Sequence, residues 1–193
     1  MALLFGCAAC NKDGSHKPFG WVRGGNRLYY DFYGLQDTIR DCRYLEINRD
    51  DDDYRIREHA PNNSSGSLTP LFGEINDIDV VVKSNALYEQ ICSSCGFGSC
   101  FSLTENIYAP KSPFLYQELP TYYCGSHIRG RNYVINTDTT LTVPMGKFKV
   151  YIMQHPDGDK SYWNPREGLI MYEVRNQYRT SFRGTLRLNR ITR

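Results

Sequence analysis

Thr142-Val-Pro-Met-Gly-Lys-Phe-Lys-Val-Tyr-Ile-Met153 and Ser161-Tyr-Trp-Asn-Pro-Arg-Glu-Gly-Leu-Ile-Met-Tyr-Glu173 decide the class of this chain. Both blocks alternate with the two-residue period of a half-buried strand. Phe148, Val150 and Ile152 fall on one face and are expected to point inward, against Lys147, Lys149 and Tyr151. The blocks are separated by His155-Pro-Asp-Gly-Asp159, in which proline sets φ and Asp-Gly supplies a left-handed step, so a tight turn is predicted there. Tyr162 and Trp163 are expected in the core.

The pattern extends in both directions. Residues 132–136 and 139–143 read as two strands or one bent strand, and 168–174 and 182–191 complete an antiparallel set. Toward the N-terminus, 25–33 follows a Gly-Gly turn as a first strand, 34–42 reads as a helical turn or loop, and 43–48 and 54–59 alternate again. The carboxylates of residues 50–53 lack the alternating ligand spacing and central glycine of a calcium loop, and read as a solvated hairpin tip. Residues 60–70 are loop by composition, and 75–82 ends in a Val-Val-Val run typical of a strand. Ser84-Asn-Ala-Leu-Tyr-Glu-Gln-Ile91 predicts the one short helix, capped by Ser84 or Asn85, with Leu87, Tyr88 and Ile91 on one face. A cysteine-rich stretch and three prolines (Pro110, Pro113, Pro120) follow, so 84–130 reads as an insertion pinned by disulfides. The expected fold is mainly β: a curved antiparallel sheet or half-barrel with one short helix and a cysteine-rich insertion.

Composition supports a β-rich body. Fifteen tyrosines, many in alternating runs, suit pleated half-buried surfaces. The formal net charge of +2, with cations scattered among carboxylates, lacks the footprint of a nucleic-acid binder. At 193 residues the chain buries roughly 70% of its unfolded surface.

The first ten residues, Met-Ala-Leu-Leu-Phe-Gly-Cys-Ala-Ala-Cys, form a short apolar run ending in small residues and cysteine, with polarity from Asn11 onward. They read as the end of a longer export signal, since the basic leading part is absent. Leu4-Phe-Gly-Cys7 and Ala8-Ala-Cys10-Asn-Lys-Asp13 each resemble a lipobox, with Cys10 the preferred site of lipidation and Cys7 the alternative. Acyl chains there would anchor the protein stably to a membrane. The competing interpretation is a buried N-terminal strand with two inert cysteines. No other segment approaches the roughly 20 apolar residues of a spanning helix. The organisation expected is a truncated lipoprotein signal at 1–10, a tether at 11–24, and a single β-rich domain at 25–193.

In an exported chain Cys42, Cys92, Cys95, Cys100 and Cys124 are disulfide candidates by default. The alternatives are inert thiols or metal and redox chemistry. Cys7-x2-Cys10 and Cys92-x2-Cys95 formally make a zinc-ribbon ligand set, but they are far too distant in sequence. Cys92, Cys95, Cys100 and Cys124 lack the spacing of the common iron–sulfur families. No metal ligand set and no cofactor is therefore assigned.

The pattern Val143-Pro144-x-Gly146-x-Phe148, a strand, a turn, then Tyr162-Trp163-x-Pro165-x-x-Gly168-Leu169-Ile170 resembles the C-terminal part of secreted half-barrel domains of unknown function. These domains, TapB-like and related, occur in Gram-negative bacterial lipoproteins. A looser similarity covers 26–33. The resemblance implies a curved antiparallel sheet wrapped around a helix or loop, an apolar concave face and no catalytic residues. The cysteine-rich segment departs from that pattern.

Four histidines, His16, His59, His127 and His155, and no Gly-x-Ser-x-Gly, HExxH, phosphate loop or dinucleotide fingerprint leave little for an enzyme. The expectation is a non-catalytic lipoprotein of the cell envelope, anchored to the outer membrane on its periplasmic or exposed side. It would bind an apolar ligand or an envelope protein on its concave face, or serve as a structural or surface interaction module. The alternative is a thiol-dependent, zinc-binding or redox protein built on Cys92, Cys95, Cys100 and Cys124, with His127 as a partner for a thiolate.

Overall fold

The computed structural model describes residues 19–50, 53–59, 77–92, 103–123, 127–175 and 182–193. Twelve strands occur in them: β1 (Arg27–Gly34), β2 (Thr38–Asp50), β3 (Asp53–His59), β4 (Asp77–Val82), β5 (Ala86–Cys92), β6 (Leu103–Pro110), β7 (Glu118–Tyr123), β8 (His127–Val143), β9 (Gly146–Gln154), β10 (Lys160–Asn164), β11 (Gly168–Arg175) and β12 (Phe182–Thr192). They form a single antiparallel sheet in the order β6-β5-β4-β3-β2-β1-β12-β11-β10-β9-β8-β7. Every sequential pair is hydrogen-bonded except β6 and β7, while the first and last strands pair in the middle of the sheet. The edges β6 and β7 lie beside one another. The sheet is thus a nearly closed barrel whose seam falls between β6 and β7.

Alternation makes the wall. Leu28, Tyr30 and Phe32 of β1, Leu45 and Ile47 of β2, Ile56 of β3, and Leu186 and Leu188 of β12 are buried toward the interior. The outward tyrosines of the central strands lie under arginines: Arg190 stands 4.0 Å over Tyr29, Arg187 4.6 Å over Tyr33 and Arg27 5.8 Å over Tyr44. His59 stacks on Tyr44 at 4.4 Å. These contacts account for tyrosines on both faces.

Because neighbours alternate in direction, the connections fall at two rims. The turns at 35–37 and 155–159 lie at one, called here the far rim. The connections at 83–85, 111–117, 144–145 and 165–167 lie at the other, the near rim. The chain enters β1 across the near rim. Phe19, Trp21 and Val22 are buried, Phe19 N–H donates to Pro165 O at 3.0 Å, and Gly25 N–H donates to Ile47 O at 2.8 Å. Trp21 lies against Gly168, where an added Cβ would come within 2.8 Å of the indole and where φ is +91°. The β8–β9 hairpin reaches the same rim, with Met145 N–H donating to Leu188 O at 3.3 Å.

Several expectations change. No helix occurs among the described residues, and the one predicted at 84–91 is strand β5. Ser84 and Asn85 form the β4–β5 turn instead of a helix cap, closed by Lys83 N–H donating to Ala86 O at 3.0 Å. Ladders to β4 on one side and β6 on the other satisfy the β5 backbone, and pairing overrides a local helical spacing. The supposed insertion at 84–130 contributes β5, β6, β7 and the start of β8 to the same sheet. Part of the expected tether, from Phe19 onward, belongs to the core. Residues 132–143 are one continuous strand with bulges between Val134 and Thr139. Opposite that bulge Val150 and Tyr151 are both buried, and from there Tyr151 and Met153, not Ile152, are the buried positions. The turn at 155–159 forms as predicted, with Gly158 at φ +87°. Asp50 pairs with Asp53, so β2 and β3 meet as a hairpin there, and residues 51 and 52 of the acidic run lie outside the described residues.

Candidate functional site

An arginine in phase with Leu45 and Ile47 on β2 must point inward, and so must a glutamate in phase with Ile56 on β3. Arg43 and Glu58 meet in the interior as an ion pair whose side chains are each 4% exposed. Tyr30, Tyr108 and Tyr172 are set around the Glu58 charge. Burial raises all three phenols, Tyr30 and Tyr108 well above the usual value, and Glu58 adds to each. For Tyr172 the neighbouring Asp159 contributes next after burial, and its phenol donates to Asp159 Oδ2 at 3.3 Å. The interior tyrosines are therefore neutral donors at physiological pH, not bases.

Tyr108, from the β6 edge, meets Trp163 of β10 edge-on with ring centroids 5.2 Å apart. Trp163 in turn lies 6.1 Å from Trp21. These rings run through the interior from the seam strand β6 to β10 and on to the entering chain at the near rim. Among the described residues the interior is thus a packed core of mixed character, with the Arg43–Glu58 pair and buried tyrosines inside it, where the resemblance implied an apolar concave face.

A second polar cluster closes the far side of Trp163. His155 Nε2 lies 2.9 Å from Ser161 Oγ, His155 Nδ1 lies 3.2 Å from Asn132 Oδ1, and Trp163 Nε1–H donates to Ser161 Oγ at 2.8 Å. With the histidine proton on Nδ1, Asn132 accepts from it, Nε2 accepts from the Ser161 hydroxyl, and Ser161 accepts from the indole, so each group is satisfied. The order Ser–His–Asn is that of a hydrolase relay. However, Ser161 is only 1% exposed, and its oxygen is held by the tryptophan. The cluster fastens the 155–159 turn to the wall. Two other buried polar atoms, Trp21 Nε1 and Tyr151 Oη, have no hydrogen-bond partner among the described residues.

Cys42 is a free thiol and leaves the set of disulfide candidates. It is buried on β2, its Sγ–H lies 3.5 Å from Tyr30 O, and burial above all pushes its pKa from 9.0 to about 11. Cys92 ends β5 and His127 begins β8. Cys7, Cys10, Cys95, Cys100, Cys124 and His16 lie outside the described residues. Among the described residues no group of three or more His, Cys, Asp or Glu side chains is arranged to hold a metal ion. His59 is 3.2 Å from Glu46, a surface pair on the outer wall.

Sequence reasoning did not single out Arg43, Glu58, Asn132, Asp159 or Ser161. Arg43, Glu58 and Ser161 carried a usable signal: each stands in phase with apolar residues of its own strand, where a polar side chain has to find an internal partner.

No family profile and no curated protein matches the chain. Among solved structures it is similar to a candidate lipoprotein of Parabacteroides distasonis ATCC 8503, at 10% identity and a TM-score of 0.44, covering 91% of this chain and 99% of that one. It is also similar to a candidate exported protein with a YmcC-like fold from Bacteroides fragilis NCTC 9343, at 11% identity and a TM-score of 0.45, covering 92% of this chain and 100% of that one.

Proposed function

We propose that this protein is a non-catalytic lipoprotein of the cell envelope, anchored to the outer membrane by acyl chains on Cys10 or, in the alternative, Cys7, and acting as a rigid binding or structural module. The observation that carries the non-catalytic part is the state of the interior. Arg43 and Glu58 neutralise each other, the tyrosines are held neutral by burial, and Ser161 is enclosed between His155 and Trp163. An active site needs a reactive group that a substrate can reach, and these groups are spent on holding the barrel together. Recognition is therefore assigned to the outer wall and the rims.

The two lipobox-like stretches support the anchor, and the chain's entry across the near rim gives it a defined side of the domain. The test is the intact mass of the protein from the membrane fraction of a Gram-negative host, before and after reduction. Acylated Cys10 or Cys7 is expected; an unmodified cytosolic protein would overturn the proposal. Two activity probes complete it: covalent labelling of Ser161 by a fluorophosphonate, or of a native cysteine by iodoacetamide at neutral pH, would show that a reactive nucleophile exists.

A further inference from the structure

The near rim carries a feature that the fold does not use. The connection between the seam strands contains Phe114, Leu115 and Tyr116, three consecutive large apolar side chains that are 63%, 48% and 75% exposed. Met145 of the β8–β9 hairpin is exposed at the same rim, and Tyr133, on the strand beside the connection, is exposed too. An isolated exposed apolar residue is ordinary, whereas a contiguous run at a loop tip marks a contact surface.

The tip is built, not loose. Gln117 N–H donates to Phe114 O at 3.1 Å, Phe114 N–H to Gln117 Oε1 at 3.3 Å, and Tyr116 N–H to Val134 O at 2.7 Å. Tyr116 sits at φ +63°, a left-handed conformation that costs an aromatic residue energy. That strain brings Tyr116 no burial in the barrel, because its side chain faces outward.

What meets this tip follows from where the chain enters. The first described residue, Phe19, lies on the near rim, and Cys10 precedes it by nine residues. Nine residues span at most about 30 Å when fully extended. An acyl anchor on Cys10 therefore holds Phe19 within that distance of the bilayer, and the tip stands on the same rim as Phe19. Lys111, exposed at the start of the same connection, adds a cation suited to anionic headgroups.

We propose that Phe114, Leu115 and Tyr116 form a membrane-docking tip that inserts into the lipid interface and sets the orientation of the barrel on the membrane. The inference rests on the lipoprotein reading, and its test separates the two. The full chain with Cys7→Ser and Cys10→Ser, which cannot be acylated, is mixed with vesicles of phosphatidylethanolamine and phosphatidylglycerol, and its partition is measured by sedimentation. The same chain carrying Phe114→Ser and Leu115→Ser is expected to partition about tenfold less or weaker still, since two apolar side chains no longer leave water. Both substitutions are at exposed positions, and an unchanged far-ultraviolet spectrum and melting temperature verify folding. Phe114→Trp supplies a second readout. The chain's own two tryptophans are buried, so a blue shift on vesicle addition reports the tip alone.

Equal partition of the tip variant and its parent, or no partition and no blue shift, would overturn the docking tip. So would tip-dependent self-association in the ultracentrifuge without vesicle binding, which would make a second copy the occupant. An acylated N-terminus in cells combined with no vesicle partition would sink the tip and leave the lipoprotein reading standing; partition without an acyl mass would do the reverse.

Discussion

Removing the arginine of the interior ion pair tests the account of the core most directly. In Arg43→Met the Glu58 carboxylate keeps its place, with its side chain 4% exposed, but loses the cation beside it. Taking the cation away from a buried carboxylate costs about 3–5 kcal/mol, which in a domain of this size lowers the melting temperature by roughly 6–20 °C. Arg43→Met with Glu58→Leu removes both charges and replaces them with apolar volume, so it should recover most of the loss; the two changes then couple by several kcal/mol. The single variant has a further signature. Without Arg43, burial raises the folded-state pKa of Glu58 above its unfolded value. A carboxyl raised in the folded state favours folding while it is protonated, at low pH, and that contribution is lost as pH rises through the folded value. The deficit of Arg43→Met relative to the parent should therefore be smaller near pH 4 than at pH 7. Urea denaturation at the two pH values measures it. A deficit under about 1 kcal/mol at pH 7, or one independent of pH, would refute the idea that this pair is a desolvated charge pair on which the core depends.

Three other outcomes are expected. Tyr30→Phe removes the hydroxyl that donates to Leu169 O at 2.9 Å and should cost about 1 kcal/mol, whereas Tyr151→Phe removes a buried hydroxyl with no partner among the described residues and should be neutral or stabilising in the same urea titration. Gly168→Ala places a methyl 2.8 Å from the Trp21 ring at φ +91° and should cost about 2 kcal/mol or more, seen as a lower melting temperature and a loss of near-ultraviolet circular dichroism from the tryptophans. Cys42 should resist iodoacetamide in the native protein at pH 8 and label on unfolding, as read by peptide mass mapping. Its thiol, raised from 9.0 to about 11 by burial, stays protonated in the folded state while the unfolded thiol ionises, so its contribution to stability declines between about pH 9 and pH 11.

The strands that read well from the sequence were those whose apolar positions repeat every second residue and whose turns carry their own chemistry. The 160–164 and 168–175 pair and the 155–159 turn are of that kind, and each has its information within a few residues. Residues 84–91 misled because Leu87, Tyr88 and Ile91 fit one helical face, and nothing local records that β4 and β6 lie on either side. The same holds for Tyr151, whose burial depends on the bulge in the partner strand β8. Of the interior, Arg43, Glu58 and Ser161 were legible as polar residues in apolar phase. Their partners were not: Asn132 is 23 residues from His155, and Tyr108 is 55 residues from Trp163.

By itself the sequence determined that this is a β protein with alternating, tyrosine-rich strands, a short apolar stretch containing Cys7 and Cys10, and no recognised catalytic motif, because period, turn chemistry and motif are local properties of the chain. Only the tertiary structure decided that the sheet runs to twelve strands and nearly closes, that its ends meet in the middle of the wall while its seam lies at β6 and β7, and that Cys42 is a sealed thiol. It also decided that Phe114, Leu115 and Tyr116 stand at the rim where the chain enters. Those outcomes depend on which strand pairs with which, and pairing between residues far apart in the chain is set by burial and closure of the whole barrel, which no short stretch of sequence encodes.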